Sequence, residues 1–199
     1  MLKQKLKHFD LILASGSPRR QELFKAMELP HRVEVKPINE VYPENLKAGA
    51  ITDFLALKKS DTFGSLNPNQ IIVTCDTIVW HNHKAIEKPK DKVHAVQMLK
   101  SICGDVHEVF TSVCLRTYDQ TIIFNDCTKV WIDQISDEDL TQYINYYKPL
   151  DKAGGYGIQD FFGVIAVSKI DGCYYNVMGL PTRLVYQNLR KLVEGRTKD

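Results

Sequence analysis

The residues most able to do chemistry begin at Ser15-Gly16-Ser17-Pro18-Arg19-Arg20, which lie between an apolar run and an amphipathic stretch. A loop leading into a helix aims backbone N–H groups and the positive end of the helix dipole at whatever anion sits there. Two hydroxyls and two guanidinium forks add donors matched to phosphate oxygens. The plainer reading is a capped helix with two solvated arginines. S-x-S-P-R-R is not a P-loop, since the G-K-[ST] ending is missing.

Asp76, in Cys75-Asp76-Thr77, is expected at the C-terminal end of a buried strand. An acid there is costly to bury unless it meets a cation, orients water or caps a turn. Lys88, rigid before Pro89, could meet an anion; Glu40 and Lys59 carry little signal alone. The segment Asp151 to Gln159 (DKAGGYGIQ) packs three glycines into four residues, which permits close backbone approach to a ligand or simply an irregular turn. Gln159 offers a paired donor and acceptor able to read a base edge, or is an ordinary surface glutamine.

Other clusters are weaker. His81 and His83 share a turn but have no third ligand at zinc spacing, His107 being distant. Cys103, Cys114 and Cys127 read as core residues, and Tyr143, Tyr146 and Tyr147 as packing at helical spacing.

These groups need elements to hold them. Residues 9–14 read as a buried strand, and Ser17 caps a helix over residues 18 to about 27 with Pro18 at its first position. A helix is expected over 48–63, then strands at 71–75 and 78–80, the latter turning at His81-Asn82-His83-Lys84 into a hairpin. Asp91 caps a helix to about Cys103, stopped by Gly104. Strands are expected over 107–116 and 121–132, and Ser136 with Asp139 opens a helix to about 146. Residues 162–170 and 174–177 read as strands flanking a turn at Asp171-Gly172. Pro181 starts a last helix to about 193. The alternation implies an α/β fold with a mixed sheet, and residues 1–199 read as a single domain without linker or repeat.

Composition narrows the function classes. With 199 residues, 44% hydrophobic and 25% charged, the chain has the make-up of a folded globular protein and not a disordered one. Lys and Arg total 26 against 24 Asp and Glu, so no general electrostatic attraction to nucleic acid is expected, and a polyanion would need a local cationic pocket. No run approaches a membrane span, and the apolar stretch behind the basic start is too short for a secretory signal. Five cysteines without zinc or redox spacing fit reduced thiols, so a cytoplasmic location is expected.

Together the motifs resemble the Maf family of nucleoside triphosphate pyrophosphatases over nearly the whole chain. Residues Leu11 to Arg20 (LILASGSPRR) look like its amino-terminal signature, and Cys75 to Val79 (CDTIV) resembles its A-D-T-[IV]-V block. Glu87-Lys88-Pro89, Gly104 to Thr111 (GDVHEVFT), Pro149 to Gln159 and Asn176 to Pro181 are similar to the later blocks. Six motifs in order are specific where each alone is not. The resemblance implies a mixed, curved sheet flanked by helices in two lobes around a cleft, as in inosine triphosphate pyrophosphatases. It also implies hydrolysis between the α- and β-phosphates, in a house-cleaning role.

Carried over by resemblance, Asp76 is the proton acceptor, and Glu40 and Asp76 hold Mg²⁺ or Mn²⁺. Ser15, Arg19, Arg20, Lys59 and Lys88 grip the triphosphate. Arg19, Thr77 and Gln159 resemble the subgroup that prefers dTTP and UTP. The resemblance further implies a homodimer. The rival reading is a non-catalytic nucleotide-binding regulator of septum formation or cell division, which would need the phosphate grip but not Asp76. The sequence departs from the family pattern at Cys75 (usually alanine), at Asn39 (where an acid often precedes Glu40) and at Asp160, which stands where glycine is common.

Overall fold

The computed structural model describes residues 1–196. Its elements run α1 (Leu2–Lys5), β1 (Asp10–Leu13), α2 (Pro18–Ala26), β2 (Arg32–Val33), α3 (Gly49–Asp61), β3 (Gln70–His81), β4 (Lys84–Ile86) and α4 (Lys92–Ile102). They continue with β5 (Val106–Arg116), β6 (Thr121–Ile132), α5 (Asp137–Tyr147), α6 (Phe161–Ala166), β7 (Val167–Asp171), α7 (Tyr174–Val177) and α8 (Thr182–Arg196). Three helix starts expected from capping are formed: Ser17, Asp91 and Ser136 each accept a hydrogen bond from the backbone N–H three residues on. None of the described helices is long and apolar enough to cross a membrane.

One sheet of order β2-β1-β3-β5-β6-β7 organises the fold, with β4 attached to β3. β1 is parallel to β2 and β3 while the remaining pairs are antiparallel, so the sheet is mixed, as expected. β5 covers β3 from Ile72 to Trp80 along one edge. On the opposite edge β1 pairs with residues 70–73 and β4 with residues 79–81. Among the described residues no strand pairs with 74–78 on that side, and this interval is the cleft.

The expectation of two strands at 71–75 and 78–80 is therefore corrected: β3 is continuous, and Asp76 lies in its middle, not at its end. The polar pair Asp76-Thr77 interrupts the apolar run, but the antiparallel ladder continues through it, with Asp76 opposite Ser112 and Thr77 opposite Thr111. Pairing with a neighbour, not local hydrophobicity, carries the strand across.

The two lobes follow from burial. Val73 and Cys75 join a cluster with Leu13, Phe24, Val185 and Leu189. Val79, on the same face of β3, joins a second cluster with Leu99, Tyr143 and Phe162. Thr77 stands between them. On the other face, Ile51 and Leu55 of α3 pack on Ile78.

The chain near its end also departs from expectation. Residues 162–166 are helical, because burial there falls on Phe162, Gly163 and Ala166 at helical spacing while Val164 and Ile165 are exposed. Residues 174–177 form one helical turn, which buries Asn176 so that its amide donates to Val109 O (3.0 Å) and Thr128 Oγ1 (2.9 Å). Cys114 is buried as expected, but Cys127 is exposed and Cys103 half-buried. Tyr143 is buried, whereas Tyr146 is exposed on the outer face of α5.

Candidate active site

The cleft at the open edge of β3 has a volume of about 440 Å³ and is lined by Ser15, Arg19, Arg20, Glu40, Lys59, Asp76, Thr77, Lys88 and Gln159, among others. Every residue singled out for the site from sequence thus faces one hollow, within the size range of small-ligand sites.

The β1–α2 loop supplies the anion-binding end. Ser17 caps α2, and Ser15 Oγ accepts from the Ser17 N–H (3.3 Å) and from Arg20 Nη1 (3.2 Å). Arg20 also donates to Cys75 O (3.1 Å), Thr77 Oγ1 (2.9 Å) and Gly179 O (2.8 Å). Four of its five N–H donors are engaged within the protein, so Arg20 ties the loop to the open edge of β3 and to the turn before α8. Arg19 reaches across to Asp151 (3.0 Å) at the start of the glycine-rich segment.

The acidic centre comes from the other face of the sheet. Ile51, Leu55 and Lys59 recur at i, i+4 along α3, so the contact that seats the helix on Ile78 also turns Lys59 toward β3. Lys59 Nζ lies 2.6 Å from Asp76 Oδ1 and 2.7 Å from Glu40 Oε1, and Lys88 Nζ is 3.5 Å from Glu40 Oε2. The chain Asp76–Lys59–Glu40–Lys88 alternates in charge from the buried floor to the exposed rim. Burial pushes the Asp76 carboxyl above its ordinary value of 3.8 despite Lys59 and Arg20. Burial acts upward on Glu40 too, but there Lys59 and Lys88 outweigh it and the net shift is downward.

The far end is built by the glycine-rich segment. Gly154 has φ +72°, and a Cβ there would come within 2.6 Å of the Val79 side chain, so a side chain is excluded on both counts. Tyr156 OH pairs with the buried His107 Nε2 (2.7 Å), and Thr77 Oγ1 shares a hydrogen bond with Thr111 Oγ1 (3.0 Å). Tyr143 OH accepts from the Gly157 N–H (3.2 Å). Sequence reasoning gave no site role to Lys36 and Tyr156, which also line the cleft, or to His107 and Tyr143. His107 and Tyr156 carried a signal, each inside a motif whose individual roles the sequence did not disclose, and Tyr143 reads as packing, which its burial bears out.

Glu40 and Asp76 suit a hard divalent cation: two carboxylates converge on a point already held by a cationic nitrogen. Among the described residues no group of three or more His, Cys, Asp or Glu forms a cage. Two carboxylates could hold such an ion only if phosphate oxygens and water completed its shell. His81 bonds instead to Asp105 (2.9 Å).

A family model described as Maf-like protein matches residues 10–192. The chain belongs to the Maf family. Among its relatives is the dTTP/UTP pyrophosphatase of Flavobacterium johnsoniae, 53% identical over 194 residues that cover 97% of this chain and 100% of the relative. Proteins of the same name from Christiangramia forsetii and Bacteroides thetaiotaomicron are 45% and 40% identical, covering 98% and 94% of this chain and 100% and 98% of their own. Membership in the Maf family accounts for the mixed sheet and for the convergence of all six motifs on one cleft.

Proposed function

We propose that this Maf protein hydrolyses dTTP and UTP to the monophosphate and pyrophosphate. The observation that carries the reading is a buried carboxylate, Asp76, at the floor of a cleft whose cations come from three separate elements. The names of its relatives support the same substrates.

A triphosphate brings roughly four negative charges, which in this nearly neutral chain must be met locally. Ser15, the N–H groups opening α2, Arg19, Lys59 and Lys88 receive the phosphates, while Arg20 holds the loop that presents them. Asp76 Oδ1 is occupied by Lys59, which leaves Oδ2 to take a proton from water. The resulting hydroxide attacks the α-phosphorus, and the α–β bridging oxygen departs with pyrophosphate, stabilised by the same lysines. A divalent cation, Mg²⁺ or Mn²⁺, held by Glu40 and Asp76 would neutralise charge building on the phosphate oxygens. Gln159 addresses the base, and Arg19 and Thr77 are, by resemblance, the positions that with it mark the dTTP/UTP subgroup. The reading includes a homodimer acting in the cytoplasm.

The test is pyrophosphate release by the purified protein with Mg²⁺ and each common ribo- and deoxyribonucleoside triphosphate. Release from dTTP and UTP ahead of the others is expected. Binding without release would favour a regulator, and preference for a purine would overturn the substrate assignment.

A further inference from the structure

We propose that Asp160 sets the base specificity of the cleft by holding the carboxamide of Gln159 in one orientation, as a hydrogen-bond acceptor for the ring N–H of a uracil or thymine. This deepens the proposed function and rests on it. Asp160 is also the position at which this chain departs from the glycine common in its family.

Gln159 Nε2 donates to Asp160 Oδ1 (3.0 Å), while Gln159 Oε1 is buried with no donor among the described residues. A carboxylate can only accept, so the amide end facing Asp160 must be the NH₂ group, and the carbonyl is the end left without a partner. Asp160 is itself restrained. Its Oδ2 accepts from Tyr143 OH (3.4 Å) and lies 3.6 Å from Lys152 Nζ, and its side chain is 15% exposed. Tyr143 in turn receives the Gly157 N–H, so the clamp is tied to the segment that carries Gln159.

A buried carbonyl lacking a donor favours a ligand that brings one. Uracil and thymine carry N–H at ring position 3; cytosine of the same size has a bare acceptor nitrogen there and would face the carbonyl lone pair to lone pair. Discrimination of this kind, by an unpaired polar group, exceeds what pocket shape achieves between isosteres.

The experiment compares kcat/KM for UTP and CTP in the wild type, Asp160→Asn and Asp160→Ala. In Asp160→Asn, Tyr143 and Lys152 keep the new carbonyl on their side and turn the new NH₂ toward Gln159. The Gln159 amide then reverses and offers its own NH₂ to the base. The UTP-to-CTP ratio is expected to fall by about tenfold to a hundredfold, with an absolute gain for CTP that general damage to the site would not produce. Asp160→Ala frees the amide and is expected to lower the ratio by a smaller factor. It carries the test if the Asn variant does not fold. An unchanged ratio in a folded variant overturns the role of Asp160 while leaving the proposed function intact. A wild type that ignores both UTP and dTTP overturns both.

Discussion

Lys59 Nζ and Asp76 Oδ1 stand 2.6 Å apart, with the lysine 18% and the aspartate 9% exposed at their side chains. The pair joins α3 to the middle of β3, and Lys59 opposes, without cancelling, the upward push of burial on the Asp76 carboxyl. Asp76→Asn should fold and lose roughly 10²–10⁴-fold in pyrophosphate release, the range for a general base. In the wild type the acid limb of kcat/KM should lie above the ordinary carboxylate range, because burial raises this group.

The same shift has a stability consequence of definite sign. A carboxyl whose folded value exceeds its unfolded 3.8 binds protons more tightly when folded, so its ionisation destabilises the fold as pH rises through that interval. Relative to Asp76→Asn, the wild type should therefore lose stability as pH rises above about 4 toward the raised value. Urea midpoints of both proteins across that range check it, and a difference independent of pH would remove Asp76 from the account.

Arg20→Lys is expected to lower stability by about 2–4 kcal/mol, since an ammonium cannot reach Ser15, Cys75, Thr77 and Gly179 together. KM for the triphosphate should rise with it, because the β1–α2 loop loses its tether. Denaturant unfolding together with steady-state kinetics separates this from a pure substrate contact, which would leave stability unchanged.

His107 is buried and neutral, its pKa lowered to about 3 by desolvation and by His81 nearby. The unfolded chain gains a proton near 6.5 and the folded chain does not, so stability should decline as pH falls from 6.5 toward 3, by at most about 1.4 kcal/mol per pH unit from this group. His107→Gln, which keeps a hydrogen-bond partner for Tyr156 OH, should flatten the decline. Thermal midpoints at pH 7 and 5 measure it.

Gly163→Ala should cost about 1–3 kcal/mol, since its methyl would collide with the Ile158 carbonyl. Ile158 precedes Gln159, so the shift needed to relieve that contact should also raise KM for UTP. An unchanged melting temperature would mean that α6 does not seat on this carbonyl.

Much of the scaffold was legible because its signals are local. Ser17, Asp91 and Ser136 each cap a helix with an atom three residues away, and the Asn82-His83 turn needs only positive φ at both residues. Legibility failed where a distant partner overrode local preference. Asp76-Thr77 looked like a break because the strand β5 that carries β3 past it lies some 35 residues on. Residues 162–166 and 174–177 looked like strands because β-branched and aromatic side chains fill them, yet the approach of Gly163 to Ile158 and the buried amide of Asn176 demand helical turns.

The identities and order of the chemical groups, the caps and the apolar periods are properties of short stretches of chain, and through their resemblance to the Maf family they pointed to a phosphate-handling cleft. Two things depended on folding: that Glu40, Lys59, Asp76 and Lys88 form one alternating line of charge, and that Asp160 grips Gln159 so that its carbonyl has no donor among the described residues. The charge line spans nearly fifty residues of chain and arises only where β1 ends short of β4 along β3. The grip joins neighbours, yet its direction is set by Tyr143 and Lys152, and hydrogen-bond direction is decided by which groups surround an atom in space.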